Sequence, residues 1–302
     1  MSYPVSTSIH FRFDKDYKVP VTHEIERIAK CGFRHLDFNF LDWHRDPRSP
    51  FLGDNWEKWI DEAGNTAAKN GADFNQAHAP VGTDGLGADI PHLRELQLRA
   101  IKACGKLGIP WMVFHALYNN GPEFFDLNTE HFRSLLDECY KNNVGIAIEN
   151  IWPVWQDCPI WKTEELIRLV DGIGDPMVGI CWDTGHCNMT GNSHNWRARC
   201  LPELKQYSNQ YKEITKLGKR LKALHIDDNN GMDDDHVEPF EGTINWEDVM
   251  RALRDIGYEH SFTFEAHYAV RRLPECLVDE KIRYLHHLGE TLANWNDGFP
   301  AL

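Results

Sequence analysis

ICWDTGHCNMTG, residues 180–191, follows an apolar run that enters at Val178. A strand that reads as buried ends by presenting Asp183 and His186 on either side of Thr184 and Gly185. One such pair at a strand end is ordinarily a helix cap or a hydrogen-bonded rim. It acquires another meaning if further strands deliver comparable groups to the same place.

Outward from this stretch, short β-rich runs alternate with longer stretches of helical spacing. Strands are predicted at residues 8–13, 33–40, 72–79, 111–116, 145–151, 178–183, 223–227 and 261–266. Helices are predicted at 21–31, 56–70, 93–107, 129–142, 246–256 and 277–294. Three of these helices end in AKCG, AKNG and GKLG, a basic or amide residue followed by the glycine of a helix C-cap. Strands that alternate with helices imply right-handed βαβ units and a parallel sheet. Eight such units in 302 residues imply an α/β chain folded as a single closed (β/α)8 TIM barrel, one domain over residues 1–302. The alternative, an open doubly wound sheet, would carry a GxGxxG turn after its first strand, and none is present.

Hydrophobic residues make up 42% of the chain and aromatics 12%, enough to bury a large core. With 46 acidic against 32 basic residues, the formal charge is −14, which disfavours a nucleic-acid partner. No apolar run approaches the roughly 18 residues of a membrane span. The start, MSYPVSTSIHFRF, lacks the basic and apolar regions of a secretory leader. Eight cysteines without a CxxC pair read as reduced thiols, so a cytoplasmic location is expected.

Polar residues recur at the ends of the predicted strands. QAHAP brings His78, VFHAL brings His115 and GIAIENI brings Glu149. Asp183 and His186 follow. LKALHIDD then brings His225, with Asp234 and His236 in the loop beyond, and SFTFEAH brings Glu265 and His267. In an α/β barrel these positions converge on one mouth. Crowded carboxylates repel one another unless a cation neutralises them. Imidazoles and carboxylates without thiolates suit one divalent ion such as Mn2+, Mg2+, Co2+ or Zn2+. Cys181 and Cys187 are read as apolar filler rather than ligands, and His10 as at most a pocket-lining residue.

Two long connections, 41–55 and 228–243, are expected to frame the mouth. Trp43, Trp56 and Trp59 lie near the first, and Trp152, Trp155 and Trp161 follow strand five. Within WPVW at 152–155, Trp155 is the expected wall for the C–H face of a sugar. Asp227, Asp228, Asp233, Asp234 and Asp235 read as an acidic rim that disfavours a phosphorylated substrate.

HAP, FH, IEN, WDTGH, the H…DxH…G run and the final FEA together resemble the xylose isomerase-like barrel superfamily. It includes ketose 3-epimerases, hydroxypyruvate isomerase, inosose dehydratase and the endonuclease IV branch. The resemblance implies one divalent ion held by Glu149, Asp183, His225 and Glu265, with Glu149 and Glu265 also the acid/base pair. It implies substrate contacts from His78, His115, His186 and His236. The implied reaction is isomerisation or epimerisation of a small sugar or polyol, by proton transfer through a metal-bound enediolate. An inosose dehydratase-type lyase would use the same site. In the endonuclease branch further zinc ions are held at positions that match His78, His115, His186, Asp234 and His236, so a multi-zinc abasic-site nuclease is the alternative. Relatives often pair, so a homo-oligomer is expected.

Overall fold

A computed structural model describes residues 3–9, 20–41, 43–82, 89–117, 122–153, 158–190, 207–266 and 268–295. Its strands are β1 (Val5–Ser8), β2 (His35–Asn39), β3 (Asp73–His78), β4 (Trp111–Phe114), β5 (Gly145–Glu149), β6 (Val178–Asp183), β7 (Leu221–His225) and β8 (Phe262–Phe264). They pair in parallel in the order β7-β6-β5-β4-β3-β2-β1-β8. The two ends meet at the Ile226–Phe264 bridge. There Ile226 N donates to Thr263 O at 2.8 Å and Glu265 N donates to Ile226 O at 3.1 Å, which closes the barrel.

The α-helices are α1 (Val21–Lys30), α2 (Trp56–Lys69), α3 (Ile90–Leu107), α4 (Phe124–Arg133), α5 (Leu136–Asn142) and α6 (Thr163–Ile173). They continue with α7 (Thr184–Asn188), α8 (Gln210–Leu217), α9 (Trp246–Asp255), α10 (Tyr268–Arg271) and α11 (Glu275–Ala293). The eightfold strand–helix alternation read from the sequence is therefore the architecture.

Successive strand residues face opposite sides of a sheet. Ile146 and Ile148 of β5, Ile180 and Trp182 of β6 and Leu224 of β7 join the large core between barrel and helices. The residues between them, Ala147, Cys181 and Ala223, pack with Val113 against Trp111 in a separate inner layer. Two residues further along each strand, on the same inward face, stand His115, Glu149, Asp183 and His225. Strand periodicity alone thus turns an apolar barrel floor into a polar mouth. Burial of the outer core drives this arrangement, at about 1.5–3 kcal/mol for each fully buried large apolar side chain.

Two elements differ from expectation. β1 runs over Val5–Ser8 rather than 8–13, and residues 10–19 lie outside the described residues. Ser6, Thr7 and Ser8 are fully buried, and pairing to β2 and β8 on either side makes the strand. Apolar patterning cannot reveal a strand of that composition. The helix expected over 129–142 is two helices. Arg94 of α3 donates to Ser134 Oγ and Ser134 O, both at 2.8 Å, and so occupies the carbonyl that would continue the helical ladder.

Candidate metal centre at the barrel mouth

Glu149, Asp183 and His225 end their strands, and Glu265 follows β8 directly. Each offers one ligand atom, and the four atoms lie within 4.8 Å of one another. His225 is the hub. Its Nδ1 stands 3.0 Å from Glu265 Oε2, 3.1 Å from Glu149 Oε1 and 3.9 Å from Asp183 Oδ2. All four residues are buried.

The IEN and WDTGH motifs interlock through Asn150. Its Nδ2 donates to Asp183 O at 3.0 Å and its Oδ1 accepts from Asp183 N at 2.7 Å. His186 Nδ1 donates to Asn150 O at 2.7 Å, and His186 N donates to Asp183 Oδ1 at 2.6 Å as the cap of α7. Asp183 Oδ2 is left facing the centre, and His186 Nε2 points toward Asp234 Oδ1 at 3.8 Å.

Two further groups adjoin this ring. His115 Nε2 and His78 Nε2 stand 3.0 and 3.5 Å from Glu149 Oε2, and 3.3 Å from each other. His78 Nδ1 donates to Ala79 O at 2.9 Å. On the other side, Asp227, Asp234 and His236 bring ligand atoms within 4.8 Å of one another. His236 Nδ1 donates to Glu265 O at 3.0 Å, and its Nε2 meets Asp234 Oδ2 at 2.9 Å. The structure therefore gathers His78, His115, Glu149, Asp183, His186, His225, Asp234, His236 and Glu265 at one mouth.

Burial disfavours every charge in this cluster, and the neighbours decide which charges persist. Burial works against a Glu149 carboxylate, yet His225 and His115 outweigh it and hold Glu149 well below the usual range. His225 and His236 do the same for Glu265. Against its own desolvation, His186 rises to about 10 beside Asp183 and Asp234, and His236 rises to about 9 beside Asp234. His225 is raised well above its ordinary value. Burial lifts Asp183 to about 6. Burial, and then repulsion from Asp183 and Asp234, raises Asp227 well above the carboxylate range. The protonated imidazoles stand where the carboxylates require positive charge.

These donors fit a divalent cation. Asp183 Oδ2 and both oxygens of Asp227 are buried, and no amide, imidazole or hydroxyl donor lies within hydrogen-bond distance of them. A buried acceptor without a partner costs about 1–3 kcal/mol, and a cation would remove that cost. Nitrogen and oxygen donors without thiolate match the Mn2+, Mg2+, Co2+ or Zn2+ expectation. Cys181 lies in the apolar layer below, as filler.

Several mouth residues were illegible in the sequence. Asp37 sits inside the barrel, where burial raises it to about 6 near His225 and Glu265. Its signal was a carboxylate between Leu36 and Phe38 of β2, on the face opposite to those two core residues. Asp227 and Asp228 are fully buried rather than on the acidic rim. Of the tryptophans, Trp152 faces the mouth, its ring 4.5 Å from that of His186. Trp43 is buried against Trp59 at 4.8 Å, and Trp161 packs on Tyr207 at 5.2 Å. Trp155, His10 and His267 lie outside the described residues.

Comparison with known proteins agrees with this architecture. An uncharacterised protein, y4fM of Sinorhizobium fredii, is 24% identical over 289 residues, 82% of each chain. The D-psicose 3-epimerase of Enterocloster bolteae is 31% identical over 102 residues, 34% of this chain and 27% of that protein. The solved structure of D-psicose 3-epimerase with D-tagatose from Clostridium cellulolyticum H10 superposes with a TM-score of 0.72 at 16% identity. It covers 97% of this chain and 99% of that one, a likeness of fold. The sequence matches the family described as Xylose isomerase-like TIM barrel over residues 25–288. With eight parallel strands closed into a barrel, β2 to β8 within that span, the chain belongs to this family.

Proposed function

We propose that this protein, as one domain over residues 1–302, is a divalent-metal-dependent isomerase or epimerase of a small sugar or polyol. The observation that carries the reading is the placement of two carboxylates, Glu149 and Glu265, at 3.1 and 3.0 Å from one His225 nitrogen. Such a pair can serve one bound substrate from two directions. The partial likeness to a D-psicose 3-epimerase supports a ketose as substrate.

Glu149, Asp183, His225 and Glu265 would hold the ion. When bound, the ion would polarise a substrate carbonyl and stabilise negative charge on its oxygen. One glutamate takes the proton from the carbon next to the carbonyl, and the other delivers a proton to the opposite face. His78, His115, His186 and His236 offer hydrogen bonds to hydroxyl groups. Trp152, with Trp155 of the same WPVW segment, supplies apolar surface for the C–H face of the substrate. Return of the proton to the same carbon gives epimerisation, and return to its neighbour gives isomerisation. Loss of a β-hydroxyl from the same intermediate would give the inosose dehydratase outcome.

A second reading, a multi-zinc abasic-site nuclease, is favoured by the two additional groups, His78/His115/Glu149 and Asp227/Asp234/His236. The charge of −14 opposes it, because a phosphate backbone would be repelled. A cytoplasmic, homo-oligomeric protein belongs to the main proposal. Seven cysteines of the described residues are free thiols, and no described helix is long and apolar enough to cross a membrane.

The test incubates the protein with a panel of ketoses and inososes in D2O and counts bound metal per chain. Deuterium is expected at a carbon next to the carbonyl, with about one ion per chain. Glu149→Gln and Glu265→Gln should each abolish the exchange. Incision of an abasic duplex with no exchange in the panel would overturn the reading in favour of the nuclease.

A further inference from the structure

Residues 228–244 follow β7 without regular secondary structure, and they carry Asp234 and His236 to the mouth. At their root lies Asp228, fully buried. Its Oδ1 accepts from Asn229 N at 2.9 Å and Ile244 N at 3.2 Å. Its Oδ2 accepts from Phe240 N at 3.1 Å and from the indole Nε1 of Trp246 at 2.9 Å. One carboxylate therefore holds both ends of the loop, its middle and the first turn of α9. Its backbone adds a two-way pair with Val237: Asp228 N donates to Val237 O at 2.8 Å, and Val237 N to Asp228 O at 3.2 Å.

Backbone strain marks the same points. Among the described residues, three non-glycine residues have positive φ: Asn143 at 55°, His236 at 43° and Phe240 at 78°. Asn143 ends α5 as a helix cap. The other two lie in this loop, where such conformations persist only if the surroundings over-determine them. Asp228 supplies that constraint at both places. It binds Phe240 N itself and clamps Val237, the residue after His236.

We propose that Asp228 is the positioning residue of the mouth. It folds the loop around its carboxylate, holds the strained His236 backbone, and so sets His236 against Glu265 and Asp234. Asp228 lies apart from the four-residue ring and acts through His236. The turnover arm of the test rests on the proposed sugar chemistry, whereas the loop arm does not.

The loop arm compares hydrogen exchange of amides 229–243 in the wild type, Asp228→Asn and Asp228→Ala. Exchange should quicken in the order wild type, Asn, Ala, because an amide keeps one acceptor oxygen and alanine keeps none. Co2+ titration should show a first-ion affinity within about twofold of the wild type, since the ring is built on the strands. In the turnover arm, Asp228→Ala should lower kcat/KM by about tenfold to a hundredfold. Adding His236→Ala to it should cost less than about a further twofold, because the two losses share one cause. Unchanged loop exchange in Asp228→Ala, or fully multiplicative losses in the double variant, overturns the proposal. If Asp228→Ala does not fold, Gly242→Ala takes its place. A methyl at Gly242 would overlap Asp228 Oδ1 and the Asn229 backbone, so the same quickening is expected and its absence overturns the proposal. If no sugar turns over, the functional reading fails and the exchange arm still decides.

Discussion

His225 Nδ1 and Glu265 Oε2 stand 3.0 Å apart across the seam where the barrel closes. Their strands, β7 and β8, lie at the two ends of the sheet order and meet at the Ile226–Phe264 bridge. The candidate ring is therefore complete only when the barrel is closed. A chain in which β8 had not docked would offer three of the four groups.

Cation affinity should fall with acid. Burial opposes charge on His225, yet the carboxylates of Glu265 and Glu149 raise it well above its ordinary value. An ion at Nδ1 must displace that proton, so binding releases protons and tightens as pH rises. Co2+ titrations between about pH 6 and pH 8, in buffers of different ionisation enthalpy, should show both effects. Asp183→Asn keeps the shape and removes the charge, and affinity should drop by more than about a hundredfold. A pH-independent affinity would contradict the arrangement.

His131 should make the fold acid-sensitive. It is buried on α4, and its Nε2 donates to Gln97 Oε1 at 2.8 Å. Burial, and then Arg94, lowers it from 6.5 to about 4. Between those values the unfolded chain binds more protons than the native one. Its contribution is thus complete above about pH 6.5 and is lost as pH falls toward about 4, on the order of 3 kcal/mol. Urea midpoints of His131→Gln should fall less steeply than those of the wild type across this window. Parallel curves would refute the assignment.

Gly185→Ala should damage the mouth without touching the four-residue ring of Glu149, Asp183, His225 and Glu265. A methyl there would overlap Asp227 Oδ1 and crowd Asn229 Nδ2, which donates to Gly185 O at 3.0 Å. Overpacking of this kind costs about 1–3 kcal/mol. The measurement is urea unfolding with metal counting, and retention of wild-type stability would argue against the close approach.

Asn128→Asp should loosen the segment that follows His115. Asn128 Oδ1 accepts from Leu117 N at 2.7 Å, and its Nδ2 donates to Leu117 O at 3.0 Å and Phe124 O at 2.9 Å. An aspartate cannot donate, so the buried Leu117 carbonyl loses this partner at about 1–3 kcal/mol, while Phe124 O keeps its helical bond from Asn128 N. Thermal unfolding should show the loss, while first-ion affinity at the strand-borne ring stays near wild type. A variant as stable as the wild type would show that the amide is dispensable.

The sequence by itself determined the barrel and its row of polar strand ends, among which the family resemblance singles out the four residues of the ring. Strand periodicity of two carries each inward apolar residue, such as Ala147, Cys181 and Ala223, to a polar one two places on: Glu149, Asp183 and His225. Repetition of that step over consecutive strands is legible without coordinates, because both the hydrophobic pattern and the facing rule are local. Only the tertiary structure decided where the irregular segments turn. The run of aspartates after β7 has no period, so nothing local says that Asp227 and Asp228 are buried while Asp233 is exposed. That outcome depends on amides and an indole supplied by Phe240, Ile244 and Trp246. β1 is similar: Ser6, Thr7 and Ser8 become a strand because β2 and β8 flank them. The break between α4 and α5 likewise follows from Arg94, on another helix. In each case the deciding partner is distant in the chain, and a hydrogen bond to a distant partner leaves no mark on local pattern.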